Sequence, residues 1–210
     1  MRTRNKRWAK PFIDAQADWI HSPTTELTTV FQDDRPKALE IGIGKGQFFV
    51  EQAARHREWC WIGVEKQPSI LAIAAKKVMT QEPPLHAHLL NGDVMEFAPQ
   101  LPDQSIHTIY LNFSDPWPKA RHAKRRLTSD TFLNLYHRIL VPAGKVIMKT
   151  DNPILYAYSL EVLGLDARFE ILSFTADYQL ESDDVQTEYE AHFRALNQPI
   201  HRIIFQRRMV

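Results

Sequence analysis

Apolar positions along the chain keep two alternating rhythms. Residues 35–44, RPKALEIGIG, form a short apolar run that ends in glycines. Residues 45–56, KGQFFVEQAARH, set Phe49 with Ala53 and Val50 with Ala54 at the spacing of one helical face. The run WCWIGVE (59–65) returns to the strand pattern, and SILAIAAKKVMT (69–80) predicts an amphipathic helix. PLHAHLLNGD (84–93) predicts a strand. So does SIHTIYLNF (105–113), where Ile109, Leu111 and Phe113 alternate with Thr108, Tyr110 and Asn112. TSDTFLNLYHRIL (128–140) opens with helix-capping residue types, and AGKVIMKT (143–150) follows a Pro142-Ala143-Gly144 turn as a strand. FEILSFTA (169–176) and HRIIFQR (201–207), separated by one helix and a long loop, suit a hairpin-like edge. Strands spaced by helices predict an α/β fold, a mostly parallel seven-stranded sheet covered on both faces.

At 210 residues, 44% hydrophobic and 24% charged, the chain has an ordinary globular composition, and one domain over residues 1–210 is expected. No apolar stretch is long enough for a membrane span, and the basic start MRTRNKRWAK lacks the apolar run of a secretory signal, so the expected location is the cytoplasm. The single cysteine, Cys60, lies inside an apolar run and is expected to be a buried thiol.

Charge changes the picture more by its distribution than by its formal total of +1. Residues 1–10 hold five cations (Arg2, Arg4, Lys6, Arg7, Lys10) and residues 119–126 five more (Lys119, Arg121, Lys124, Arg125, Arg126), with no acid in either segment. The rest of the chain carries 16 Lys/Arg against 25 Asp/Glu, so two basic segments, one of them an N-terminal arm over about residues 1–12, stand out from an acidic body. Binding to a polyanion follows. The stretch from Ser114 to Leu127 shows no periodicity and is expected to be an irregular, functional connection. Pro116 and Pro118 stiffen its start, the cations can meet phosphates, and Trp117 is either a surface for a base or a plug over the sheet edge.

In a fold of this kind ligands sit at the C-terminal ends of the strands. The first strand ends LEIGIGKG, with Glu40, Gly42, Gly44 and Gly46; the second ends in Glu65, 19 residues beyond Gly46; the third in Asn91-Gly92-Asp93; the fourth in Asn112-Phe113-Ser114-Asp115. Acids in register at four strand ends indicate a nucleotide-like ligand. A dinucleotide fingerprint would need glycine where the chain has Gln47. A pyrophosphate would also be repelled by Glu40, whereas the sulfonium and amino groups of S-adenosylmethionine suit acidic surroundings. A methyl donor is therefore preferred over a nicotinamide or flavin cofactor.

The segments LEIGIGKGQF, YLNFSDPWPKARHAKRRLT, KTDN and TEYEAHF, with the MRTRNKRWA start, resemble in the same order those of bacterial tRNA (guanine-N7)-methyltransferases, from about residue 1 to about residue 205. The resemblance implies a Rossmann-like class I methyltransferase fold and S-adenosyl-L-methionine-dependent methylation of the guanine N7 in the tRNA variable loop. It also implies that Glu40, Glu65, Asp93 and Asp115 are donor-site acids, with Gly42 and Gly44 lining the donor, and that Asp115 is catalytic. Lys119, Asp151, Thr187, Glu188, Tyr189 and Glu190 match substrate-binding positions, and Arg121, His122, Ala123, Lys124, Arg125 and Arg126 match the RNA contact. One departure is Lys66, where many members have an uncharged residue.

Guanine N7 has an in-plane lone pair and no proton, so its methylation needs alignment more than a strong base. A carboxylate such as Asp115 or Asp151 near the base would favour the developing cation. Simpler structural roles also fit: Thr187-Glu188-Tyr189-Glu190 reads as a capping box, and Asp151-Asn152-Pro153 as a helix start capped by Asp. His86 and His88 share a strand face but lack further ligands, so no metal is expected. Two other classes remain open, a noncatalytic RNA-binding module and a nicotinamide dehydrogenase; the assembly is expected to be a monomer or a homodimer.

Overall fold

The computed structural model describes residues 6–182 and 184–209. The chain divides into two compact units, one ending at Pro102 and the other beginning at Asp103. In the first unit the elements run α1 (Ala9–Asp14), β1 (Ile20–His21), α2 (Thr28–Phe31), β2 (Lys37–Ile41), α3 (Gln47–Arg55), β3 (Cys60–Glu65), α4 (Pro68–Met79), β4 (Ala87–Asn91) and α5 (Val94–Phe97). Its strands pair in the order β1-β4-β3-β2, all parallel. Parallel strands covered on both faces need continuous apolar runs. Leu39, Ile62, Leu89 and Leu90 accordingly have no exposed surface, and Phe49 of α3 and Leu71 of α4 are equally buried. Cys60 is buried as expected, and its thiol is pushed up to about 11, chiefly by burial.

The second unit runs β5 (Ile106–Asn112), a 3-10 segment (Ala120–Arg125), α6 (Asp130–Ile139), β6 (Leu140–Thr150), α7 (Pro153–Leu165), β7 (Phe169–Thr175), α8 (Glu188–Ala195) and β8 (His201–Arg207). Its strands pair in the order β5-β6-β8-β7, with β5 and β6 parallel and β8 antiparallel to both neighbours. The hairpin-like edge is therefore present, but the last strand lies inside it, next to β6. Phe132, Leu133, Leu135, Tyr136 and Ile139 form the buried stripe of α6, at the spacing that keeps one helical face inward.

Four expectations change. The described residues form eight strands rather than seven, the addition being β1, whose two residues are too few for a periodic pattern. Pro142-Ala143-Gly144 is not a turn ahead of a strand but an irregularity within β6, where the pairing jumps from Ile106 with Leu140 to Thr108 with Lys145. The segment from Ser114 to Leu127 is not wholly irregular, since it holds the 3-10 turns. The basic arm is shorter than 1–12: α1 begins at Ala9, and Ala9 and Ile13 are buried. Lys6 donates its backbone N–H to Ser69 Oγ at 2.7 Å, and Lys76 lies 3.9 Å above the Trp8 ring. Arg2 and Arg4 lie outside the described residues.

Candidate active site

In the first unit, the glycine loop after β2 is built on Val64, whose carbonyl accepts from the N–H groups of Gly42 (2.8 Å) and Ile43 (3.1 Å). Gly42 and Gly44 have φ of +85° and +56°, and a Cβ placed on either would meet nothing within 4 Å. Gly46 has a different reason to be glycine, because a Cβ there would stand 2.7 Å from Ala74 Cβ of α4. Two open glycines and one packed glycine thus leave the backbone bare on one side and close on the helix side.

Glu65 holds this loop from the end of β3: Oε2 accepts from Gly44 N–H at 3.1 Å and Oε1 from Gln67 N–H at 2.8 Å. Burial pushes its carboxyl above the ordinary carboxylate range, against the pull of those amides and of Lys66. Asp93 is the N-cap of α5. Its Oδ1 accepts from Met95 N–H at 2.9 Å while Glu96 Oε2 accepts from Asp93 N–H at 2.7 Å, a complete capping box. Its other oxygen meets Lys66 Nζ at 2.7 Å, which accounts for the unusual lysine. Burial alone would raise the Asp93 carboxyl, but Lys66 and the Met95 amide outweigh it and hold the group below its ordinary value. The acids are not level with one another. Glu40, 2% exposed, is opposite Gly63, whereas Glu65 is opposite Asn91, so Glu40 sits two rows deeper on the face that Glu65 shares. His88 faces His21 across β1 and β4, with Nδ1 and Nε2 3.1 Å apart, while His86 precedes β4 and does not join it.

In the second unit, β5 ends at Asn112 and the chain turns at Phe113, where φ is +52°. The Phe113 ring lies nearly parallel to those of Tyr189 (6.3 Å) and Phe193 (6.0 Å). Asp115 is exposed two residues later. Trp117, at φ +42°, is half-buried, with the Arg125 guanidinium 4.8 Å from its ring and His122 edge-on at 5.7 Å. Lys119, Arg121, Lys124 and Arg125 are exposed, and His122 and Ala123 half-buried. Among the described residues none of those four cations is ion-paired with a carboxylate.

Arg126 differs from them. It is 5% exposed, donating from Nε to Pro116 O (3.1 Å) and from Nη2 to Trp117 O (3.0 Å), with Tyr158 of α7 stacked 4.2 Å away. Arg126, expected at the RNA contact with the other cations, thus has its guanidinium engaged with the loop's own carbonyls.

After β6, Asn152 rather than Asp151 caps α7, its Oδ1 accepting from Leu155 N–H at 2.9 Å, so the half-buried Asp151 carboxylate has no part in the cap. Thr187 caps α8 by accepting from Glu190 N–H at 2.9 Å. The expected reciprocal half of that box is absent, because the Glu190 carboxylate turns inward. It has no exposed surface, Oε2 meeting Lys149 Nζ at 3.3 Å and Oε1 meeting Arg194 Nη2 at 2.8 Å. Lys149, 3% exposed, also donates to Asp184 at 3.0 Å and faces the Tyr178 ring at 4.8 Å. Burial, and then the hydrogen bond to Asp184, pushes the Tyr178 hydroxyl upward. Buried ions persist only when paired this fully. The network fixes the start of α8 and leaves Glu188 and Tyr189 exposed, Tyr189 at 64%.

The profile of a family described as "Putative methyltransferase" matches residues 34–203. The tRNA (guanine-N(7)-)-methyltransferase of Oenococcus oeni is 42% identical, covering 95% of this chain and 96% of that one. The chain belongs to the tRNA (guanine-N7)-methyltransferase family. Its relative of the same name from Geobacillus thermodenitrificans is 41% identical over 96% of this chain and 95% of that one. Among solved structures, the 16S rRNA (adenine(1408)-N(1))-methyltransferase of Catenulisporales acidiphilia, with cosubstrate SAM, matches with a TM-score of 0.62 at 10% identity, covering 87% of this chain and 90% of that one. The 16S rRNA methyltransferase KamB matches with a TM-score of 0.61 at 12% identity, covering 87% of this chain and 93% of that one. At those identities the likeness shows the fold, the Rossmann-like class I methyltransferase fold.

Lys149, Asp184 and Phe113 help to build this region although no local sequence pattern marks them out. Lys149 had one available signal, a charge at the end of a run that otherwise reads as core strand. Asp184 had none, since its partner is 35 residues away.

Proposed function

We propose that this protein transfers a methyl group from S-adenosyl-L-methionine to N7 of the guanine in the tRNA variable loop, giving 7-methylguanosine. The observation that carries the reading is an exposed cationic segment, without acid, directly after the strand-end Asp115, in a chain of this family.

The first unit suits the donor. Gly42 and Gly44 leave open space where any side chain would intrude, and Glu40 and Glu65 put negative charge on one face beside them. Glu65 accepts backbone amides on both of its oxygens and keeps acceptor capacity for a ribose hydroxyl. Asp93, held by its cap and by Lys66, supports the same pocket. When bound, the donor supplies a methyl carbon on a positively charged sulfur.

The second unit suits the RNA. Lys119, Arg121, Lys124 and Arg125 meet phosphates, with His122 and Ala123 shaping the turn that presents them. Tyr189, backed by Phe113, offers its exposed ring to a base. Glu188 and Asp151 lie at the two helix starts as acceptors for base or ribose donors, while Thr187 and Glu190 hold the first of those starts in place. Asp115 favours the positive charge that develops on the guanine ring as N7 is alkylated. No group needs to remove a proton from N7, so the task of these residues is alignment. Work on a tRNA substrate is in keeping with a cytoplasmic location.

The test is mass mapping of nucleosides from an unmodified tRNA transcript incubated with protein and donor. The reading expects 7-methylguanosine in the variable loop, its loss when that guanine is replaced by adenine, and a fall of about 100-fold or more in Asp115→Ala with tRNA binding kept. Undiminished turnover in Asp115→Ala removes Asp115 from catalysis, and a folded protein that binds no donor is a noncatalytic RNA-binding module.

A further inference from the structure

We propose that Arg126 is a positioning residue for methyl transfer, a clamp between the loop that carries Asp115 and the helix that follows Asp151, and not a phosphate contact. It stands at the end of a run of cations and reads in sequence as one more of them. Lys124 and Arg125 are exposed, but Arg126 is 5% exposed and its guanidinium faces inward.

Three contacts define the clamp. Nε and Nη2 donate to the carbonyls of Pro116 and Trp117, the two residues that directly follow Asp115, at 3.1 and 3.0 Å. The guanidinium carbon lies over Tyr158, 4.2 Å from the ring centroid. Tyr158 belongs to α7, the helix that Asn152 caps immediately after Asp151. The backbone of Arg126 is tied as well: its N–H donates to Ala123 O at 3.0 Å and its carbonyl accepts from Ser129 N–H at 2.9 Å.

The turn needs such a clamp. Trp117 has a φ of +42°, an unfavourable backbone state for an aromatic residue, which persists only where its surroundings over-determine it. A planar fork can hold two successive carbonyls while stacking on an aromatic face. An ammonium, a point donor without that plane, cannot do both at once from the same position. The residue thus sets where Asp115 points, and the site's task is alignment, in which a displacement of about 1 Å can cost on the order of 100-fold in rate.

The proposal rests on the reading of Asp115 given above, and the test separates the two. Single-turnover methylation of a saturating tRNA transcript, transcript affinity across salt, and hydrogen exchange of the segment 114–119 are measured for the full chain with Arg126→Lys, Arg126→Met, Tyr158→Phe or Tyr158→Leu. The clamp predicts that Arg126→Lys slows transfer at least about 10-fold although charge is kept. Transcript affinity stays within about twofold and the salt slope is unchanged. Arg126→Met does the same, and Tyr158→Leu slows transfer several-fold where Tyr158→Phe does not. A near-normal rate in Arg126→Lys, or a salt slope shallower by about one in Arg126→Met, overturns the clamp in favour of a phosphate contact. If the Arg126 variants fail to fold, equal rates for Tyr158→Leu and Tyr158→Phe overturn it. Faster exchange at 114–119 in Arg126→Lys supports the clamp, and unchanged exchange overturns it, even if no transcript is methylated and the reading of function has failed.

Discussion

Lys149 and Lys124 carry the same ammonium in the same unit, yet Lys149 is 3% exposed and held by Asp184 and Glu190, whereas Lys124 stands on the surface of a turn without acids. The same contrast separates Arg194, bound to Glu190 and to Tyr178 O, from Arg125, which lies over Trp117 with no carboxylate partner among the described residues. Paired cations build the frame, and on the reading proposed above the unpaired ones are left for a ligand. Arg126 shows that position in a charge run does not decide the group to which a residue belongs.

The sharpest way to break this contrast is to remove one cation of each kind. Lys149→Met leaves Glu190, which has no exposed surface, with Arg194 as its remaining cation, and should lower stability by about 3 kcal/mol in urea unfolding. Lys124→Met should stay within about 0.5 kcal/mol. Equal small losses would mean that the buried network is not the frame.

A smaller effect separates frame from ligand surface within α8. Tyr189→Ala removes a ring that is 64% exposed, so unfolding should change little, while kcat/KM for tRNA should fall about 10-fold, the lower half of the range for one base–aromatic stack. Tyr189→Phe should remain near the parent. Loss of stability without loss of kcat/KM would assign the ring to packing.

A further effect concerns a pair that is neither fully framed nor offered. Burial, and then the neighbouring His21, brings His88 down from 6.5 to about 4, and burial also lowers His21. As pH falls below 6.5 the unfolded chain takes up protons that the folded pair refuses. Stability is therefore fully present above that pH and lost progressively toward pH 4. Melting midpoints measured across this window should slope upward with pH, and His88→Phe should flatten the slope; an unaltered slope would clear the pair of any part in acid sensitivity.

Much of the fold was legible because it is written locally. The glycines after Glu40, the alternation in 105–113 and the stripe of α6 each depend on near neighbours. What escaped depends on distance. The insertion of β8 beside β6 is a pairing over more than 50 residues, with Lys149 opposite Arg202. The inward turn of Glu190 is decided by Lys149, 41 residues earlier, so a local capping pattern was read as complete when only Thr187 caps. The reverse slip occurred at Asp93, where D-x-x-E is a full capping box that was legible and was passed over for its charge. Asp151 and Asn152 were equally plausible caps on sequence, and only the hydrogen bond to Leu155 distinguishes them.

The division into open and paired cations is tested most directly by the salt dependence of tRNA binding. With Lys119, Arg121, Lys124 and Arg125 on phosphates, log affinity should fall with log salt at a slope on the order of −3 to −4, and replacing all four with Gln should bring the slope close to zero while unfolding stays unchanged. A slope that is already flat in the parent, or that survives removal of all four, would contradict the account.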